Sequence, residues 1–186
     1  MESFQHKLRV MLRYDQTAKT YNEQYSMEQE AKMKAALKHL MIKSSFAVLD
    51  LGCGTGLLFN FLNGKVKLLI GLDLSLAVLK LAKKQASDVG KFSLVRADAD
   101  YVPFRENIFH VVFAFTLLQN MPDPIRTLRE IIRISKPYGK VVVTGLKKSF
   151  SWKEFKTLLE KAGLKILRVS DGELKGYVVL CAIQKR

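Results

Sequence analysis

The sequence predicts an α/β protein, a mostly parallel sheet with helices on both faces. Three observations carry that expectation. From residue 46 onward, strand-length apolar segments alternate with helical patterns, as repeated βα units do. The first strand runs into VLDLGCGTG, Val48 to Gly56, an acid followed by a glycine-rich turn. Only DGELK separates the last two strand segments, too little chain for a crossover helix, so they must form an antiparallel hairpin.

Before these units, YDQTAKTYNEQYSMEQEAKMKAALKHLMI reads as mostly helical, with Ser26 an N-cap ahead of MEQEAKMKAALKHL. Strands are expected at 46–51, 67–74, 91–98, 110–115, 140–146, 165–170 and 176–184, and helices near 56–63, 75–87, 123–136 and 151–162. In the helix near 75–87, Val78, Leu81 and Ala82 share one face while Lys80, Lys83 and Lys84 take the other. Nothing resembles a repeat or an interdomain linker. Residues 1–45 are therefore expected as a helical extension or lid, and residues 46–186 as one core.

The charge is uneven. Of 31 Lys and Arg against 17 Asp and Glu, residues 136–186 hold 12 against 4. A heat-adapted ion-pair surface would match Lys with Glu, but 22 Lys meet only 9 Glu. The excess suits a polyanion such as nucleic acid, contacted through the basic C-terminal stretch, or a lysine-rich surface with no partner. No apolar run approaches the ~20 residues of a membrane span. The N-terminus has no signal-peptide pattern, and Cys53 and Cys181 belong to no CxxC or Cys/His cluster. Reduced thiols, no bound metal and a cytoplasmic setting are the expectation.

Ligands of open α/β sheets bind beyond the carboxyl ends of the strands. Gly52, Gly54 and Gly56 remove Cβ atoms there. A P-loop is excluded because no Gly-Lys-Ser/Thr follows. The GxGxG spacing also fits a dinucleotide fingerprint poorly, which argues against an NAD-dependent oxidoreductase. Asp50 would repel a pyrophosphate but attract an ammonium or sulfonium. Asp73 ends the second strand, where an acid can accept from a ribose diol, and Asp98 ends the third, where it could accept from an adenine amine. Together they describe a site for a cationic nucleoside.

VLDLGCGTG, GLDLS, VRADADYVPF, NIFHVVFAFTLLQNMPDP and LREIIRISKPYGKVVVT resemble the successive motifs of class I S-adenosylmethionine-dependent methyltransferases, in the branch of ubiquinone- and menaquinone-biosynthesis enzymes. The resemblance covers about residues 14–146. It implies a Rossmann-like seven-stranded sheet of order 3-2-1-4-5-7-6, last strand antiparallel, with S-adenosylmethionine as cofactor and S-adenosylhomocysteine as product. It also implies that Asp50, Gly52, Cys53, Gly54 and Gly56 hold the methionine end, Asp73 with Leu74 the ribose, and Asp98 with Ala99 the adenine. Phe115 and Thr116 would line the floor near the methyl group. YDQTAKTY resembles the N-terminal motif that closes over the cofactor, making Tyr14 and Tyr21 lid residues.

Two positions depart from the family pattern. His110 stands where an acid is usual, at the amino end of a strand, and reads as structural. Pro137-Tyr138-Gly139 replaces Pro-Gly-Gly, which favours a type I turn with Gly139 last over one placing Tyr138 at positive φ. No motif assigns a catalytic residue. Substrate-side candidates are Tyr14, Gln119, Asn120, Lys147, Lys148 and Trp152, and the acceptor is RNA or a small molecule. Only KKSF links the fifth strand to the next helix, so the only available cover is the N-terminal helical segment, and the site is expected to be rather open unless an activating protein partner completes it. A catalytically silent subunit of a larger complex is the alternative.

Overall fold

The computed structural model describes residues 2–85 and 92–184, with the backbone alone for residue 2 and residues 19–24. The strands are β1 (Ala47–Leu51), β2 (Leu68–Asp73), β3 (Ser93–Arg96), β4 (Phe109–Ala114), β5 (Ser135–Leu146), β6 (Leu164–Ser170) and β7 (Gly176–Ile183). The helices are α1 (Glu2–Leu37), α2 (Phe59–Leu62), α3 (Leu76–Gln85), α4 (Pro124–Ile134) and α5 (Trp152–Lys161). One sheet of order β3-β2-β1-β4-β5-β7-β6 results. Its first five strands are parallel, and β7 runs antiparallel to both β5 and β6.

A parallel sheet covered on both faces needs strands that are apolar on both sides, and β1 meets that need. Leu49 points into a core shared with Leu128 and Ile131 of α4 and Phe155 and Leu159 of α5. Its neighbour Val48 points to the other face, against Met33 and Ala36 of α1, Phe59 of α2 and Leu79 of α3. Each such fully buried side chain contributes about 1.5–3 kcal/mol. Capping fixes two helix starts. Asp123 accepts from the Arg126 amide at 3.3 Å ahead of Pro124, and Ser151 with Glu154 forms a capping box at α5.

Three expectations need correction. First, α1 is one helix from Glu2 through Leu37, so Ser26 sits mid-helix and caps nothing. Residues 2–13 join it because Lys7, Val10 and Met11 share a helical stripe with Tyr14 that lies against the core. Second, the helix expected at 56–63 shrinks to the single turn Phe59–Leu62. Third, β5 begins at Ser135, directly after α4, and Tyr138 takes φ 61. A Cβ on Gly139 would stand 2.8 Å from the Lys136 carbonyl oxygen. Only glycine fits there, and the left-handed residue falls instead on the exposed Tyr138. His110 sits at the amino end of β4, its Nδ1 accepting from the Ala47 amide at 3.0 Å and its ring stacked on Phe46 at 4.7 Å.

Candidate active site

The carboxyl ends of β1 to β4 open into one cleft of about 1060 Å³, its mouth included. Asp50, Gly52, Cys53, Gly54, Asp73, Leu74, Asp98, Ala99, Phe115, Thr116 and Asn120 line it from the core. Lys7, Val10, Met11, Tyr14, Gln29 and Met33 line it from α1.

The glycine turn is tied to the end of β2. The amides of Gly52 and Cys53 both donate to the Leu72 carbonyl, at 2.7 and 3.0 Å. Gly52 and Gly54 have φ of 75 and 53, values that exclude most side chains. No described residue lies within 4 Å of where a Gly54 Cβ would stand, so the backbone there is open to a ligand. Gly56 has another task. A Cβ there would meet Phe59 at 3.0 Å and Ala82 at 3.3 Å, so it permits close helix packing rather than facing the cleft. Cys53 is a buried thiol pushed well above its ordinary pKa by burial and then by the Asp50 and Asp73 charges, a poor nucleophile.

The acids differ in how they are satisfied. Asp73 accepts from the Gly54 amide at 3.0 Å and the Ser75 amide at 2.9 Å. Burial raises its pKa, and those backbone bonds oppose the shift. Asp50 is 3% exposed, and among the described residues no hydrogen bond reaches its carboxylate. Burial, then the nearby Asp73 charge, pushes it up to about 8. Such a group is costly alone and is rescued by a positive partner.

At the end of β3 the Lys7 ammonium donates to both Asp98 oxygens at 2.8 Å and also to Asp100. Asp100 is buried and takes a 2.5 Å bond from the Thr127 hydroxyl. Ser75 donates to Asp15, a second polar tie to α1. Beyond β4, Thr116 is held at φ 54, an outlier for a β-branched residue that costs about 1–3 kcal/mol. Its amide donates to Thr144 Oγ1 at 2.6 Å and its hydroxyl to Gln29 Oε1 at 3.0 Å. Its carbonyl accepts from Gln119 at 2.6 Å and Asn120 at 2.9 Å.

The substrate-side candidates separate. Asn120 lines the cleft and donates to the Tyr14 hydroxyl at 3.1 Å. Gln119 supports Thr116 without lining the cleft. The other three stand away from it. Lys147 donates to the Asp171 and Gly172 carbonyls, Trp152 packs on Tyr177 at 5.3 Å, and Lys148 is exposed. The Tyr21 side chain lies outside the described residues. Lys7, Asp15, Gln29, Ser75, Asp100 and Thr144 escaped the sequence reading. The signal for the first group was present: Lys7, Val10, Met11, Tyr14 and Ala18 recur at helical spacing.

Residues 49–143 match the family model of a methyltransferase domain. The chain belongs to the class I S-adenosylmethionine-dependent methyltransferases. Among relatives of this methyltransferase, the uncharacterized protein MJ1252 of Methanocaldococcus jannaschii is 30% identical over 179 residues, covering 90% of this chain and 68% of that one. The demethylmenaquinone methyltransferase of Staphylococcus saprophyticus is 34% identical over 112 residues, covering 59% of this chain. The methyltransferase spans about half that enzyme's length, 48%. A putative methyltransferase solved in complex with the Haloferax volcanii Trm112 methyltransferase activator shares the fold at a TM-score of 0.82 and 19% identity, covering 95% of this chain and 98% of that chain.

S-adenosylmethionine is the cofactor of this family, and the cleft fits it on its own terms. The buried Asp50 lacks a positive partner that the cofactor carries, the Gly54 backbone is open to close approach, and Asp73 and Asp98 stand at successive strand ends.

Proposed function

We propose that this methyltransferase passes a methyl group to a small acceptor admitted beneath α1, by direct in-line transfer. The observation that carries the reading is the α1 stripe of Lys7, Val10, Met11 and Tyr14, which roofs a cleft otherwise bounded by strand ends. Residues 1–45 then act as a lid, and residues 46–186 as the cofactor-binding core. Asp50 and the turn from Gly52 to Gly54 take the methionine end, Asp73 with Leu74 the ribose, and Asp98 with Ala99 the adenine. S-adenosylmethionine supplies an activated methyl group on its sulfonium. The protein's part is to align the acceptor, exclude water and hold Thr116 and Phe115 as a fixed floor. Asn120 and Tyr14, already hydrogen-bonded to each other, orient the acceptor.

A second reading is favoured by one observation. The solved neighbour of nearly equal length was captured with an activator protein, so this chain could require such a partner to work on a larger acceptor. The exposed Lys153, Lys156, Lys161, Lys165 and Arg168 of α5 and β6 line no part of the cleft, which suits polyanion contact outside the transfer site.

Transfer of radiolabelled methyl from S-adenosylmethionine into a host-cell extract, split into RNA, protein and small-molecule fractions, tests the reading. Label in the small-molecule fraction is expected. Label in RNA, fading as salt rises, would replace it with the macromolecular reading. Label appearing only after a partner copurified from the host is added would support the activator.

A further inference from the structure

We propose that Lys7 is a positioning residue that ties closure of α1 to occupancy of the cofactor's base end, through a carboxylate that both share. The proposal rests on the reading of Asp98 as acceptor for the base's exocyclic amine.

Lone-pair accounting carries it. A carboxylate oxygen offers two acceptor sites. Asp98 Oδ1 is full, taking the Lys7 ammonium at 2.8 Å and the Asp100 amide at 2.9 Å. Among the described residues, Asp98 Oδ2 takes Lys7 alone, at 2.8 Å. The Asp98 side chain keeps 23% of its exposure while Lys7 keeps 7%. One acceptor site on Asp98 therefore stays open with the lysine in place. A base amine can occupy it without expelling Lys7, so closing the helix and holding the base are compatible.

They also reinforce each other. Asp100 is almost wholly buried and, among the described residues, its carboxylate has only the Thr127 hydroxyl besides Lys7. Lifting α1 would strand that charge, which favours the closed helix. Lys7 also stands between two carboxylates that would otherwise repel each other. When the base fills the cleft, water leaves and the Lys7–Asp98 contact strengthens in the drier surroundings. By linkage, whatever closure gains from the ligand, the ligand gains from closure.

The test uses S-adenosylhomocysteine as probe, titration calorimetry for affinity, and trypsin cleavage after the exposed Arg9 and Arg13 of α1 for closure. In the wild type the ligand should protect both sites. Lys7→Met should bind about tenfold more weakly and lose most of that protection, and Lys7→Arg should recover most of both. Because Lys7→Met leaves Asp100 unpaired, Lys7→Met/Asp100→Asn serves as the folded control, since an amide still accepts from Thr127; it should show the same two losses. Wild-type affinity and protection in that double variant, with Asp98→Asn weakened, would overturn the proposal alone. Unchanged affinity in Asp98→Asn would overturn the base assignment, and the proposal with it.

Discussion

The Thr116 hydroxyl donates to Gln29 Oε1 at 3.0 Å, joining the end of β4 to α1 across 87 residues of sequence. Thr116 holds a left-handed backbone, and this bond is one of the contacts that keep it there. Thr116→Ala and Gln29→Ala should each lower stability, and together by less than the sum of the two. A coupling of about 0.5–1.5 kcal/mol in a urea-denaturation double-mutant cycle is expected. Strict additivity would show that the bond carries no energy.

Asp50 makes the protein respond to pH in two opposite ways. Its pKa, raised to about 8 chiefly by burial, means the folded chain keeps a proton that the unfolded chain has lost. Ligand-free stability from this group therefore falls as pH rises from 3.8 toward 8, then levels. A cationic ligand needs the ionised form, so affinity should climb over the upper part of that range, by at most about tenfold per unit. Calorimetry of S-adenosylmethionine and S-adenosylhomocysteine from pH 6 to 9 checks both the slope and its cause. A slope shared by the two ligands assigns Asp50 to the ammonium; a slope for S-adenosylmethionine alone assigns it to the sulfonium. Asp50→Asn should flatten the slope and raise the ligand-free melting temperature.

Two glycines should fail differently. A Cβ on Gly71 would stand 2.5 Å from Phe59 Cζ and 2.9 Å from Cys53 Sγ, so Gly71→Ala overpacks the core and should cost about 1–3 kcal/mol of stability. Gly54 has open space but φ 53. Gly54→Ala should cost about 1–2 kcal/mol through backbone strain and, in addition, weaken cofactor binding. Melting and S-adenosylhomocysteine titration separate the two. Normal cofactor affinity in Gly54→Ala would remove that backbone from the binding surface.

Lys32 is 1% exposed with Glu28 as an ion-pair partner at 3.4 Å. Burial lowers its pKa, Glu28 opposes the shift, and Lys175 adds to it. The folded chain thus disfavours the charged form, and its stability should rise as pH climbs from the lowered value to 10.5. Lys32→Met should remove that rise and stabilise the protein at neutral pH, because the buried ion is gone while Glu28 is partly exposed and keeps the Lys175 amide as a donor. Denaturant midpoints at pH 7 and 10 are the check; a destabilised Lys32→Met would show that the pair with Glu28 outweighs the burial cost.

The core was legible because its signals are local and redundant. VLDLGCGTG fixes a strand, a turn and an acid within nine residues, and DGELK is too short for anything but a hairpin. The acids of the cleft announced themselves as strand-end residues. What escaped lies where a buried polar residue interrupts an apolar stripe. Lys7 and Gln29 face the cleft, 6% exposed each, but in sequence they read as the solvated face of a helix. Their burial depends on Asp98, Asp100 and Thr116, all distant in the chain, and no window of α1 contains those partners. Tyr138 escaped for a comparable reason, since the Lys136 carbonyl that forbids a side chain at Gly139 is visible only once the start of β5 is folded.

The helix from Glu2 to Leu37 also staples one segment from two sides. Its first turns reach Asn120, with His6 Nε2 3.2 Å from the Asn120 carbonyl and the Tyr14 hydroxyl accepting from the Asn120 side chain. Its later turns reach Thr116 through Gln29. Asn120 donates to the Thr116 carbonyl, so both halves of the helix converge on a single short stretch after β4. Repacking around Met33 and Ala36, set in the core beside Leu58 and Val178, therefore has a direct route through Gln29 to the floor of the site.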